Sequence, residues 1–539
     1  MALASGTVLT GLGVGLNSAT GEVLRVAPHA ELPAWSKHDG DAAGETAALK
    51  DAISAVAADL DRLGIRAGGT SAEIFEALKM LLEDDELFEL AGEHIGEGWK
   101  AGAAFGMAVN TFGELLSGDA AFEERVADLQ DLSKRVQAHL AGISMTLDLP
   151  ENGRLVLVGD DFSPADTAQF TAAVIGVITI KGGPTSHTSI ICRSRSIPAV
   201  VSVAGAVDLQ SGDKVLVDPV GDRIVVDGDD SLATKSIQFV AISDEPIIPV
   251  RSNIGTLTDA QAASKTGANG VGLFRTELLY LSEKSQPSVD AQTASYSEIL
   301  AAAPEGPIVV RTIDAGSDKP VPFLNMPEEE NPSLGVRGYR LIVEHRSFIE
   351  DQLKSLEAAR RATGREVWVM APMIATVQEA KDFCDLARSI GQFKVGIMVE
   401  TPSISLLIPD LKGIVDFVSV GTNDLSQYLF AADRMNPALG TLLTPWQPGL
   451  IRMLARIAES GRAAEVSVGV CGESASDPTF AVVLAGLGIT SVSASPSQVD
   501  VVRTALSSVD VAKAKEVANR VLAAGSPEEA KAAALAALA

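Results

Sequence analysis

Eight short apolar runs punctuate the second half of this 539-residue chain, at residues 247–253, 270–274, 307–310, 366–370, 394–399, 415–420, 466–470 and 489–494. Each ends in polar or charged residues, and helix-like stretches separate them. A strand of a parallel sheet is covered on both faces, so it reads as a nearly unbroken Val/Ile/Leu run. Eight such strands alternating with helices over about 250 residues predict a (β/α)8 TIM barrel. In that fold the residues just past each strand face the active site. Taken in order, those positions carry Arg275 with Glu277, Arg311 with Asp314, Met373, Glu400, Asn423 with Asp424, and Cys471 with Glu473.

The chain is too long for a single core. Residues 1–30 alternate glycine with β-branched and polar residues, as a strand-rich segment does. From about residue 45 to 141 the texture is helical. Ile74, Leu78, Leu81 and Leu82 form an apolar stripe flanked by Glu73, Glu76, Glu83 and Asp84, and a second periodic stretch covers 122–140. Residues 153–227 then change to short apolar runs separated by glycine and aspartate turns. The expected architecture is therefore α/β and multidomain. A small α/β domain takes residues 1–30 and 145–228, with a helical subdomain (31–144) inserted in or beside it, and a linker (229–245) leads to the barrel (246–539). The alanine-rich tail, 512–539, reads as packed helix.

Six histidines occur: His29, His38, His94, His139, His187 and His345. Only His187 lies between glycines and hydroxyl residues directly after a β-branched run, in Gly182-Gly183-Pro184-Thr185-Ser186-His187-Thr188. The order reads as strand, glycine turn, helix start. Bare backbone lets a bulky anion approach, and free N–H groups with the helix dipole favour negative charge. An imidazole there can accept a phosphoryl group and pass it on. The plain alternative is a helix-start or packing histidine.

With 43 basic and 70 acidic residues the net charge is −27, which repels nucleic acid and anionic membranes. Cys192, Cys384 and Cys471 have no close spacing and suit neither a disulfide framework nor a zinc site, so a reducing cytoplasm fits. The N-terminus lacks a secretory pattern, and no apolar run is long enough to span a membrane.

Arg275, Arg311, Arg337 and Arg434 are candidate anion binders, because a guanidinium fork matches carboxylate and phosphate oxygens. The alternative for each is an ordinary salt bridge. Glu400 and Asp424, at the ends of adjacent strands, suit Mg²⁺, which takes one or two carboxylates plus substrate oxygens. Asp424 could instead cap a helix starting at Leu425-Ser426-Gln427. Cys471 is either a buried core thiol or a proton donor. Together these residues suggest a barrel that binds a small phosphorylated acid and a histidine that attacks its phosphorus, then visits an acceptor.

Several motifs carry a family resemblance. Residues 182–190 around His187 resemble the phosphohistidine signature of the phosphoenolpyruvate-utilising enzymes. Gly421-Thr422-Asn423-Asp424-Leu425-Ser426-Gln427-Tyr428 and Asp433-Arg434-Met435-Asn436 resemble their second signature. Val271-Gly272-Leu273-Phe274-Arg275-Thr276-Glu277, Val310-Arg311-Thr312-Ile313-Asp314 and Ile397-Met398-Val399-Glu400-Thr401-Pro402 match as well. The segment from Ile74 to Asp84 is similar to the enzyme I branch, the phosphoenolpyruvate–protein phosphotransferases of sugar uptake. The resemblance spans about residues 5 to 510. It implies His187 as the phosphorylated nucleophile, Arg275, Arg311, Arg434 and Asn423 as substrate ligands, Glu400 and Asp424 as Mg²⁺ ligands, and Cys471 as the acid that protonates enolpyruvate. It further implies phosphoenolpyruvate as donor, the phosphocarrier HPr docking on the helical subdomain, and a homodimer through the barrel. Pro184 departs from the pattern, standing where a basic residue is expected, and residues 331–340 match loosely.

Two other readings compete. A pyruvate phosphate dikinase or phosphoenolpyruvate synthase needs a nucleotide-grasp domain ahead of the histidine domain, yet the mostly helical stretch there has no glycine-rich nucleotide loop. A non-catalytic regulatory paralogue would not need His187, Arg275, Arg311, Glu400, Asp424 and Cys471 together.

Overall fold

The computed structural model describes every residue except 1–2, 16, 27–31, 33, 35, 68–74, 76–77, 117–119, 148, 184–185, 196, 236, 281–282, 284, 317–320, 325, 327–328 and 435. The chain forms two compact units, Met1–Ser236 and Ile237–Ala539.

The first unit is built on an eight-stranded sheet. Its strands are β1 (Val8–Thr10), β2 (Leu12–Val14), β3 (Ala19–Arg25), β4 (Leu155–Gly159), β5 (Val174–Thr179), β6 (Ala199–Val201), β7 (Lys214–Asp218) and β8 (Arg223–Val226), in the order β1-β8-β7-β3-β4-β5-β6-β2. β3 to β6 run parallel and the flanking strands antiparallel. Strand side chains alternate between faces, so one face buries Val156, Val158, Ile178 and Val200 while the other buries Leu157, Val177, Ala199 and Val201.

Between the neighbouring strands β3 and β4 the chain makes the helices Ala42–Ala67, Asp85–Gly96, Ala101–Leu116 and Ala120–Leu140. They share a separate core that includes Leu49, Leu60, Phe105, Leu129 and Val136. Leu78 and Leu82 of the apolar stripe are buried in it, whereas Ile74, Glu73 and Glu76 lie outside the described residues. Asp84, at the flank of the stripe, also caps a helix, since its carboxylate accepts from the Glu86 and Leu87 amides.

The second unit contains a closed, all-parallel barrel of β9 (Val250–Ile254), β10 (Val271–Arg275), β11 (Ile308–Arg311), β12 (Val367–Ala371), β13 (Lys394–Val399), β14 (Phe417–Val420), β15 (Ser467–Val470) and β16 (Ser491–Ala494). All eight apolar runs become these strands. β9 starts only at Val250 because Pro249 has no N–H to give a ladder. β10 and β11 reach one residue further than their runs, so Arg275 and Arg311 are paired with each other as the last ladder residues. Leu273, Val309, Met370, Met398, Phe417 and Cys471 form a cluster of their own, with Trp368 packed on it, while the outer strand faces and the helices share the largest core.

The C-terminal helices Val511–Leu522 and Pro527–Leu538 bury Ala514, Val517, Val521, Ala530 and Ala534 in that outer core, so the alanine-rich tail does pack. Among the described residues no helix is long and apolar enough to cross a membrane.

Candidate active site

In the first unit, β5 runs into a glycine turn and then into the short helix His187–Ser194, whose first residue is His187. Gly182 has φ +83°, a left-handed conformation open to glycine, and a Cβ there would come within 3.1 Å of the Asp161 carboxylate. A Cβ on Gly183 would meet nothing within 4 Å, so the turn is open on that side. Ser186 caps the helix by accepting from the Ser189 amide. The next two hydroxyls hold the first turn in place. Ser189 donates to the Gly183 carbonyl at 2.6 Å, and the Thr188 hydroxyl is 2.8 Å from both Asp161 Oδ1 and the Phe162 carbonyl. Pro184 lies outside the described residues.

The barrel's other candidates converge at the ends of β10 to β15. Arg311 is buried and pairs with Glu277 and, at 2.9 Å, with Asp314. Asp314 also receives Arg337 at 3.2 Å, and Arg337 in turn reaches Asp424 Oδ1 at 3.1 Å. Arg434 closes the chain from the opposite side of Asp424, at 3.5 Å from Oδ2. Arg337 is only 1 % exposed, which makes it the largest fully buried side chain of the protein's described residues. Burial alone would push the Arg311 guanidinium down, but Asp314, Glu277, Glu400 and Asp424 together raise it.

Glu400 stands directly after β13. Its Oε1 accepts from the Met373 amide at 2.6 Å, and its Oε2 is buried with no partner. Burial, reinforced by Asp424 and Asp314 and opposed by Arg311 and Arg337, pushes its carboxyl up to about 8. Met373 adopts φ +58°, a strained conformation for a long side chain, and this turn aims its N–H at Glu400. At Gly421 a Cβ would lie 2.9 Å from Glu400 Oε2, so the missing side chain leaves that carboxylate room.

Asn423 and Asp424 lie in the first turn of the helix Thr422–Phe430. The helix starts three residues before Leu425 with Gly421 as its cap and no capping side chain, so the helix-cap reading of Asp424 is wrong. Its carboxylate is free to face the arginines instead. Asn423 accepts from the Glu473 amide at 3.2 Å. Cys471 is buried inside the barrel, its Sγ donating to the Val420 carbonyl at 3.6 Å and accepting from the Ser419 hydroxyl. Burial raises its thiol, while Ser419, Arg311 and Arg275 pull in the opposite sense.

Arg275, Arg311, Arg337, Arg434, Glu400, Asp424 and Cys471 thus gather within one barrel, linked by these contacts and charge interactions. His187 belongs to the other unit. Sequence reasoning missed the central part of Asp314, which bridges Arg311 and Arg337, and the Tyr428 hydroxyl, which donates to the Ser333 carbonyl and lies 3.5 Å from Arg337. Asp314 had a usable signal, its place three residues past a strand-end arginine. The backbone strain at Met373 had none. Among the described residues no group of three or more His, Cys, Asp or Glu side chains could hold a metal ion.

Histidine at a helix start after a glycine turn, and a barrel mouth crowded with guanidiniums and carboxylates, describe an enzyme that handles phosphoryl groups. The chain belongs to the phosphoenolpyruvate-utilising enzymes: their N-terminal, mobile and phosphoenolpyruvate-binding domains match residues 10–139, 152–230 and 231–511. It is similar to the phosphoenolpyruvate-protein phosphotransferase of Streptomyces coelicolor, with 40% identity over 99% of both chains. The proteins of that name from Haloferax volcanii (36% identical, 97% of this chain and 98% of the relative) and Bacillus subtilis (31% identical, 97% and 98%) are also similar.

Proposed function

We propose that this protein is a phosphoenolpyruvate–protein phosphotransferase: it moves the phosphoryl group of phosphoenolpyruvate to His187 and then to a phosphocarrier protein, HPr, releasing pyruvate. The observation that carries this reading is the barrel mouth, where Arg311, Arg337 and Arg434 surround Glu400 and Asp424, with Arg275 the ladder partner of Arg311. A guanidinium cluster of that density suits a small acid bearing both phosphate and carboxylate.

In the forward step the ester oxygen–phosphorus bond breaks and a nitrogen–phosphorus bond forms at His187. Arg275, Arg311 and Arg434 orient the donor and offset the charge that spreads over the phosphoryl oxygens, with Asn423 beside them. The enolate left behind needs a proton at its methylene carbon. Cys471 supplies it, since a thiol held up by burial stays protonated at neutral pH. The thiolate then takes its proton back from solvent. Asp314 and Glu277 hold Arg311, and Arg337 ties Asp314 to Asp424, so that neither arginine drifts.

The residues present fit Mg²⁺. Glu400 Oε2 is a buried oxygen with no partner, beside Asp424, whose Oδ2 has only a long contact with Arg434. Mg²⁺ accepts one or two carboxylates and fills its other positions with substrate oxygens and water, so a third protein ligand is unnecessary. When bound it neutralises charge on the donor's phosphate and enolate oxygens. Three guanidiniums, Arg311, Arg337 and Arg434, are ion-paired with three carboxylates, Glu277, Asp314 and Asp424. These pairs offset one another, Glu400 is held protonated near neutral pH, and a bound Mg²⁺ would add to the mouth's attraction for a polyanion.

The helical segment of the first unit is the proposed HPr dock, with the exposed Met80 on it. Association of two copies through the barrel is supported by Leu334 and Val343, apolar side chains that are 65 and 84 % exposed. The cytoplasm is the compartment that suits this chemistry and its three free thiols. The decisive experiment incubates the protein with phosphoenolpyruvate carrying labelled phosphate, Mg²⁺ and HPr. Acid-labile label should appear on both proteins and vanish from both in His187→Ala. Label that persists on the variant would refute the assignment.

A further inference from the structure

The opposite end of the barrel, where the strands begin, is built differently. It encloses a cavity of about 190 Å³ bordered by the first residues of several strands. Barrel interiors are ordinarily filled by layers of bulky branched side chains. Here Gly272, Ser419, Ser467, Gly469 and Ser491 stand at lining positions and leave the space open. A Cβ on Gly469 would lie 2.9 Å from Ser491 Oγ and 3.8 Å from Ser419 Oγ, so both hydroxyls border the same gap.

Among the described residues, one cation faces this cavity. Arg251, on β9, lies over the Trp368 ring with 4.9 Å to the centroid, and its Nε is buried without a hydrogen-bond partner. Among the described residues no carboxylate stands within ion-pair distance of it. Burial lowers its guanidinium, and only the more distant Glu366 acts the other way. Glu366 itself is occupied by the Trp368 indole N–H at 2.8 Å and by Lys394 at 3.5 Å. An arginine does not lose its proton. The floor of the barrel thus carries a fixed, half-desolvated positive charge that protein groups leave uncompensated. Water could solvate the hydroxyls but would not neutralise the guanidinium.

We propose that this floor cavity is a binding site for a small monocarboxylate, held by Arg251 with help from the serine hydroxyls. A single unpaired charge calls for one negative charge, and a dianion would leave an excess beside Glu366. Trp368, Phe417 and Val309 give the short apolar part of the ligand a wall. The volume exceeds the roughly 150 Å³ cavity that accommodates a benzene ring, so an acid of three or four carbons fits. The cavity lies at the opposite strand ends from the mouth's ion pairs and approaches the mouth at Ser419, which also hydrogen-bonds Cys471.

Sodium propanoate titrated into the full-length protein, followed by calorimetry and by saturation-transfer NMR of its methyl protons, tests this. Binding should weaken at least about tenfold in Arg251→Gln, which removes the charge-assisted hydrogen bonds. It should weaken likewise in Gly469→Ala, whose methyl enters the cavity while Ser491 can rotate away. Arg275→Gln, at the mouth, should bind propanoate as the unmodified protein does. Arg251→Gln should also melt no lower than the unmodified protein, since it deletes a half-desolvated charge that no carboxylate offsets. If that variant fails to fold, Gly469→Ala decides. No saturation transfer in the unmodified protein, binding that survives both floor variants, or binding lost in Arg275→Gln instead would overturn the proposal.

Discussion

Glu400 offers the sharpest test of the barrel mouth, because its carboxyl is pushed up to about 8 by burial and by Asp424 and Asp314. A glutamate in an unfolded chain titrates near 4.3. Below that value both states hold the proton and Glu400 costs nothing. As pH rises from about 4.3 to 8 the unfolded chain releases its proton while the fold keeps it, so stability falls across this window. At roughly 1.4 kcal/mol per pH unit the loss totals about 5 kcal/mol. The unit Ile237–Ala539 should have an unfolding entropy of roughly 0.6 kcal/mol per kelvin, from about 2 cal/mol per kelvin per residue, so this loss corresponds to about 8 °C in melting temperature. Glu400→Gln keeps an oxygen for the Met373 amide and places an NH₂ near Asp424, with nothing left to titrate. Melting curves of both proteins with a chelator, from pH 5 to 9, should therefore coincide near pH 5. By pH 9 the variant should melt several degrees higher. Adding Mg²⁺ at pH 8 should raise the unmodified protein toward the variant and leave the variant unmoved. Parallel pH profiles for the two proteins would show that Glu400 is not the buried, proton-holding group described. Equal Mg²⁺ shifts would remove it from the metal site.

Arg337→Met takes a guanidinium from Asp314 and Asp424 at once and leaves buried charge behind. The cost should be about 3–5 kcal/mol, read as a fall of about 5–8 °C in melting temperature, and a loss below about 1 kcal/mol would contradict the buried ion pairs. Cys471→Ser replaces a thiol with a far weaker acid of similar size. Pyruvate release should slow by at least about a hundredfold while the affinity for phosphoenolpyruvate changes little. A proportional loss of both would make Cys471 a packing residue.

Local signals carried most of the architecture and little of the wiring. Each barrel strand was legible because an apolar run flanked by polar residues needs no partner to be recognised. The turn ahead of His187 was legible because glycines mark backbone that other residues avoid. What escaped depends on distant pairing. The exact end of β10 is set by its ladder with β11, which makes Arg275 and Arg311 the final strand residues instead of the first loop residues. The pairing of Arg337 with Asp314 and Asp424 joins positions 23 and 87 residues apart, and no local pattern encodes it. Asp424 looked like a helix cap because the helix start was placed three residues late. With Gly421 as the true cap, the same carboxylate becomes a partner for arginine.

The barrel treats the arginines at its two ends in opposite ways, and the contrast bears on what each end does. At the mouth, Arg311 and Arg337 are matched by Glu277, Asp314 and Asp424, so the guanidiniums are fixed in place before any substrate arrives. Such matching trades attraction for geometry: it preorganises hydrogen-bond donors and leaves Glu400 as the one carboxyl held short of ionisation. In the proposed reaction a cation at Glu400 would add the attraction that the paired arginines lack. At the floor, Arg251 has an aromatic ring and a gap instead of a carboxylate. A charge left that way costs stability in the empty protein. It is recovered by an anion from solution, which is why the floor reads as a place for a ligand and the mouth as a place for a reaction.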